Sequence, residues 1–126
     1  MERPSHKELA GKLTTALGLL ESGRWAPANP SKLHANFVEM DLYREEQWSA
    51  LRDAIIELKP EHYCGARPPQ RSYEQTTRGA EMFAFSWDSK RFASRMYLKV
   101  ALAGYGGSRA LYVYSFHPSR GKVAGV

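Results

Sequence analysis

Apolar residues recur at helical spacing in the first half of the chain and alternate with polar ones near its end. Leu9, Leu13, Leu17 and Leu20 follow Ser5-His6-Lys7-Glu8, whose serine and glutamate have the spacing of a capping box, and Gly23 ends the helix they predict. After Arg24-Trp25-Ala26-Pro27, the pair Asn29-Pro30 marks a connection, and Leu33 to Met40 fits either a short strand or a turn of helix. A second helix begins between Asp41 and Glu45. Its stripe is Trp48, Leu51, Ile55 and Leu58, with Glu45, Glu46, Asp53 and Glu57 outside, and Pro60 stops it. Residues 61–79, with Gly65, Pro68, Pro69 and Gly79, read as a long loop. Its Arg67, Arg71 and Arg78 suit contact with a ligand or partner, or plain solvation. Glu81 to Trp87 is an aromatic-rich strand, and Asp88 to Phe92 a basic turn.

Two β-type runs then flank Gly104-Tyr105-Gly106-Gly107-Ser108: Arg95 to Leu102 and Ala110 to His117. They predict a hairpin. A turn centred near Gly106 puts Tyr97 opposite Ser115 and Arg95 opposite His117. Alternation then groups Met96, Leu98, Val100 and Leu102 with Tyr112, Tyr114 and Phe116 on a core face, and Arg95, Tyr97, Lys99, Ser115 and His117 on the other. A slip of one residue would send Leu111 and Val113 inward and the tyrosines outward. The bland reading of the polar face is a wet side of a half-buried sheet; a phenol, an imidazole and two cations in one place argue for chemistry.

These elements predict an α+β fold in which two N-terminal helices cover the apolar face of a C-terminal antiparallel sheet of three strands or more. The 126 residues, 43% hydrophobic and 25% charged, suit one domain spanning 1–126, with 118–126 a mobile tail. No run reaches the roughly 18 apolar residues of a membrane span, and the N-terminus lacks the apolar stretch of a signal peptide. A cytoplasmic location without membrane attachment is expected. Cys64 is the single cysteine, so no internal disulfide forms and a cysteine-based zinc site is disfavoured.

Charge separates along the chain. Residues 1–63 hold eight Lys or Arg against ten Asp or Glu, net −2, whereas residues 64–126 hold ten against three, net +7. In the basic half Arg67, Arg71, Arg78, Lys90, Arg91, Arg95 and Lys99 interleave with Tyr73, Phe85, Trp87, Phe92 and Tyr97. Cations for phosphates and rings for bases are the footprint of nucleic-acid binding, although a basic surface can also serve solubility alone. No Walker or dinucleotide glycine loop is present, which disfavours nucleotide hydrolysis. His6, His34, His62 and His117 lack metal-site spacing, and three acids in the basic half cannot supply a two-metal nuclease; no metal and no cofactor are expected.

From residue 5 to 118 the chain resembles the MqsR-type (motility quorum-sensing regulator) mRNA interferase toxins, within the RelE-like ribonuclease fold group. The likeness lies in the Glu21-Ser22-Gly23-Arg24 helix end, the step from Leu58 to Tyr63, an aromatic strand, Tyr97-Leu98-Lys99 and Ser115-Phe116-His117. The chain departs from the family in having Cys64 where a lysine follows the aromatic, Phe83-Ala84-Phe85 where the strand carries a glutamine, and His117 in place of a final lysine. The resemblance implies a RelE-like fold and an endoribonuclease toxin of a toxin–antitoxin pair. It would act on single-stranded mRNA, with possible ribosome contact, and be held inactive by a cognate antitoxin over the basic face.

Metal-free RNA cleavage needs a base for the ribose 2′-hydroxyl, cations for the phosphorane and an acid for the 5′-oxygen. His117, with an ordinary pKa near 6.5, suits acid or base; Arg95 and Lys99 suit the phosphate. Tyr97 would orient the phosphate, or act as base if its pKa were lowered. Lys90, Arg91, Arg67, Arg71, Arg78 and Trp87 are the expected RNA-binding residues. The competing classes are a non-catalytic RNA-binding or protein-interaction module using the same face, and a small-molecule enzyme, which needs a pocket.

Overall fold

The computed structural model describes residues 3–104 and 106–119. The expected mobile tail falls mostly outside them, at 120–126, while Pro118 ends a strand. The chain is α+β, in the order α1 (His6–Glu21), β1 (Trp25–Pro27), α2 (Pro30–Glu39), α3 (Arg44–Glu57), β2 (Met82–Ser89), β3 (Ser94–Ala103) and β4 (Ala110–Pro118). Ser5 caps α1, its Oγ accepting the Glu8 N–H at 3.1 Å. The Glu8 carboxylate pairs instead with Arg3, so only half of the expected box forms.

Two expectations are corrected here. The described residues hold three α-helices rather than two, because Asn29-Pro30 is a helix start: the Asn29 side chain accepts the Lys32 N–H, and Pro30 occupies a first-turn position where its missing N–H costs nothing. The sheet is four-stranded and mixed, ordered β1-β4-β3-β2, with β1 parallel to β4 and the other pairs antiparallel. The short run Trp25-Ala26-Pro27 carries little alternation, so its pairing with 111–113 depends on the long-range approach of β4.

All three helices bury their apolar stripes on one face of the sheet. Leu9, Leu20, Leu33, Phe37, Leu51 and Ile55 pack with Phe83, Phe85, Trp87, Met96, Leu98, Val100, Leu111, Val113 and Phe116. Burying such side chains contributes about 1.5–3 kcal/mol each and drives assembly. The opposite face carries a small second cluster of Ala28, Ala101 and Tyr114, to which no helical residue belongs.

The hairpin register also differs from the expected one. From Ala103↔Ala110 to Val100↔Val113 the pairing is shifted by one residue, which turns Leu111 and Val113 into the core and sends Tyr112 and Tyr114 to the opposite face. A β-bulge between Lys99 and Val100 then adds a second shift, so Tyr97 faces His117 and Lys99 faces Ser115. Two slips restore parity. The far half of the hairpin thus keeps the expected sidedness of Tyr97, Lys99, Ser115 and His117, while the near half takes the alternative. The Phe116 N–H, beyond the reach of short β1, donates to the buried Asn36 Oδ1 of α2 at 2.9 Å.

Glu57, expected on a solvated helix face, is the anchor of the β2–β3 turn. Its Oε1 accepts from Trp87 Nε1 at 2.8 Å and Ser89 Oγ at 2.7 Å, and its Oε2 from the Lys90 and Arg91 N–H groups at 2.9 and 3.1 Å. Burial raises the carboxyl's pKa, but these four donors more than offset it and leave it below the usual carboxylate range. No helix among the described residues is long and apolar enough to cross a membrane.

Candidate active site

The helix-free face is built from cross-strand rows. Ser86, Tyr97 and His117 form one row across β2, β3 and β4, flanked by Asp88–Arg95 on one side and Ala84–Lys99–Ser115 on the other. The Tyr97 and His117 rings stack with centroids 5.3 Å apart and planes 23° from parallel. Period-two alternation places Arg95 and Lys99 on either side of Tyr97 along β3, each about 7 Å away by strand rise. The structure therefore brings together the four residues expected to do chemistry.

His117 is 9% exposed, and its Nδ1 lies 2.8 Å from the Pro118 carbonyl oxygen. A carbonyl only accepts, so the bond assigns the proton of the neutral ring to Nδ1 and the lone pair to Nε2. Tyr97 is half-buried, and burial, with a smaller contribution from Cys64, pushes its phenol above the ordinary value. This corrects the suggestion that Tyr97 could act as a base, because a phenol so shifted stays protonated at neutral pH and donates.

Lys99 lies over the Tyr114 ring at 5.9 Å. Its ammonium is pulled below its ordinary pKa by burial and by Lys32, with Glu74 opposing. Arg95 is half-exposed. Its Nε donates to Ser86 Oγ at 3.1 Å and its Nη1 pairs with Asp88 at 3.3 Å, which fixes the guanidinium beside the Tyr97 row.

The expected RNA-binding residues do not share this face as a group. Trp87 is a correction: it is 1% exposed within the core with its indole bound to Glu57, so it has no ring face to offer a base. Arg67 donates to the Pro4 carbonyl at 2.9 Å and lies 5.0 Å from the Tyr63 ring centre, bracing the N-terminus against the loop. Arg91 pairs with Asp53 of α3 and covers Phe92, on the helix side of the turn. Lys90 is exposed at the same turn, its N–H held by Glu57. Arg71 and Arg78 are exposed on the long loop, where Arg71 donates to the Gly79 carbonyl at 2.7 Å.

Ser86 was missed by the sequence reading, and Cys64 entered it only as the lone cysteine and as the residue that follows Tyr63 in place of a lysine. Ser86 looks like filler in an aromatic strand until β2 pairing puts it opposite Tyr97. The Cys64 N–H donates to Ala84 of β2 at 2.9 Å, and its thiol, raised by burial, feels the Arg95 charge. Neither has a local sequence signal, since both depend on strand neighbours. Among the described residues no group of three or more His, Cys, Asp or Glu is placed to hold a metal ion. Compared with protein-family models, with curated proteins and with solved structures, the chain matches none.

Proposed function

We propose that this chain is a metal-independent endoribonuclease with a RelE-like fold, an mRNA interferase toxin whose basic face a cognate antitoxin covers. The observation that carries the reading is the Tyr97–His117 stack on the helix-free face, with a cation on each side of the phenol. His117 Nε2, carrying the lone pair, takes the 2′-hydroxyl proton. The positive charge that develops lies over the Tyr97 ring, whose face attracts cations. Tyr97 O–H, protonated at neutral pH, donates to a phosphate oxygen, and Lys99 and Arg95 hold the phosphorane charge. The 2′-oxygen bonds to phosphorus as the P–O5′ bond breaks, giving a 2′,3′-cyclic phosphate, and the departing 5′-oxygen gains the one proton that the imidazolium gives up, so bonds and protons balance over the transfer.

The test is cleavage of single-stranded RNA in the presence of a chelator. His117→Ala and Tyr97→Phe each lower the rate by about tenfold or more, in line with single acid–base contributions. A substrate with a 2′-deoxyribose at the scissile position stays intact. Equal cleavage by the wild type and the double variant overturns the assignment. Salt-dependent binding of RNA that is never cut leaves the RNA-binding module instead.

A further inference from the structure

Away from the Tyr97–His117 pair, the long loop builds a concavity of about 460 Å³ against β2, in the size range of small-ligand sites. Its walls include Tyr73, Arg71, Arg78 and Met82, with no acidic side chain among the lining residues. Tyr73 is 89% exposed, an unusual state for an aromatic ring. Its backbone is nevertheless held on both sides. The Ser72 N–H donates to Ala80 O at 2.8 Å, the Gly79 N–H to Ser72 O at 2.9 Å, and the Glu74 N–H to Ser72 Oγ at 3.1 Å. Below the loop, Ser72 Oγ, Thr77 Oγ1 and Tyr114 O–H form a buried hydrogen-bonded chain that ties it to β4.

The ring is thus presented by a pinned backbone, whose ordering cost is already met by the fold, and only the side-chain rotamer is left to fix on binding. Arg71 commits one donor to Gly79 O, and a guanidinium has five. Of the two carboxylates nearest along the chain, Glu74 follows Tyr73 directly but does not line the hollow, and Glu81, which also feels the Arg71 charge, is engaged by Arg3 at 2.8 and 3.0 Å. Arg78 also lines a neighbouring concavity of about 480 Å³ that runs to Leu102 and Gly104, so one cation borders two adjoining hollows.

We infer that the Tyr73–Arg71–Arg78 concavity is a nucleotide subsite that stacks one base of single-stranded RNA on Tyr73 and holds its phosphate with the two arginines. This rests on RNA being the ligand of the proposed nuclease and adds a base-binding position remote from its chemistry. A flat π-surface and two guanidinium groups lining one hollow suit a nucleotide better than an acidic peptide, which satisfies the cations and leaves the ring uncovered.

The test measures binding of a short labelled single-stranded RNA to the full chain carrying His117→Ala, by fluorescence anisotropy across a salt series. Tyr73→Leu raises Kd by about tenfold with the salt slope kept, as expected for loss of one base stack, whereas Tyr73→Phe keeps the parent's affinity. Arg78→Gln weakens binding and lowers the slope by about 0.7, one phosphate contact on a single strand. Unchanged affinity in Tyr73→Leu overturns the subsite, as does RNA that fails to bind the parent or is displaced equally well by polyglutamate of the same charge. The readout is binding alone, so a wild-type chain that never cuts RNA leaves a positive result standing. Unchanged binding in Tyr73→Leu, in turn, leaves the nuclease reading intact.

Discussion

Asn36 of α2 accepts the Phe116 N–H at 2.9 Å, and this one bond ties a helix to the strand segment that carries His117. Phe116 lies just past the bulge that sets Tyr97 opposite His117. Replacing Asn36 with leucine leaves a buried N–H without its acceptor and costs about 1–3 kcal/mol. Urea unfolding measures the loss; Asn36→Asp, which keeps an oxygen at the position, loses less. Equal stability of the leucine variant and wild type would show that the bond does not hold β4.

Glu57 makes the stability pH-dependent in a definite direction. Its folded-state pKa lies below the ordinary 4.5, so its stabilising contribution is complete above that value and fades as pH falls through the lower folded value. Glu57→Gln destabilises the protein by about 1–3 kcal/mol at pH 7 and flattens the acid limb of the stability profile below about pH 4.5. An acid limb identical to wild type would refute this.

Lys99 is expected to trade stability for activity. Burial disfavours its charged form in the folded chain, so Lys99→Met, similar in length and uncharged, keeps or raises the melting temperature while RNA cleavage falls. A melting temperature well below wild type would mean that the ammonium is a structural group.

Gly104 sets the turn end of the hairpin. It has φ +92°, and a Cβ there would meet the Ser108 carbonyl oxygen at 2.6 Å. Gly104→Ala therefore costs about 1–3 kcal/mol, the range for a strained backbone position, with a backbone contact that cannot swing away. Gly107→Ala is the control, since a Cβ there meets nothing within 4 Å. Comparable unfolding midpoints for the two variants would contradict the strain argument.

Much of the scaffold was legible from local pattern. Ser5 caps α1, Leu9 and Leu20 bury with Leu13 and Leu17 partly covered, and the aromatic alternation of β2 buries as its spacing requires. Of the stripe Trp48-Leu51-Ile55-Leu58 the last three bury, while Trp48 stays 38% exposed, its indole N–H donating to Leu20 O. Asn29-Pro30 carried its helix-start signal too, but a cap and a breaker share the same residue types, and only a packed Leu33 and Phe37 tell them apart. Glu57 and Trp87 were misread for a common reason: each partner lies some thirty residues away, and no periodicity registers a contact of that range.

The sequence by itself determined the α+β class, the amphipathic faces, the basic second half and the residue types available for chemistry, because propensity, periodicity and charge are local properties. The tertiary structure decided which of them meet. Tyr97 faces His117 rather than Ser115 because the turn shifts the register by one residue and the bulge by one more, and slips of that size alter little in local pattern. They change every cross-strand neighbour, and so they are settled by how the core closes against α2 and α3.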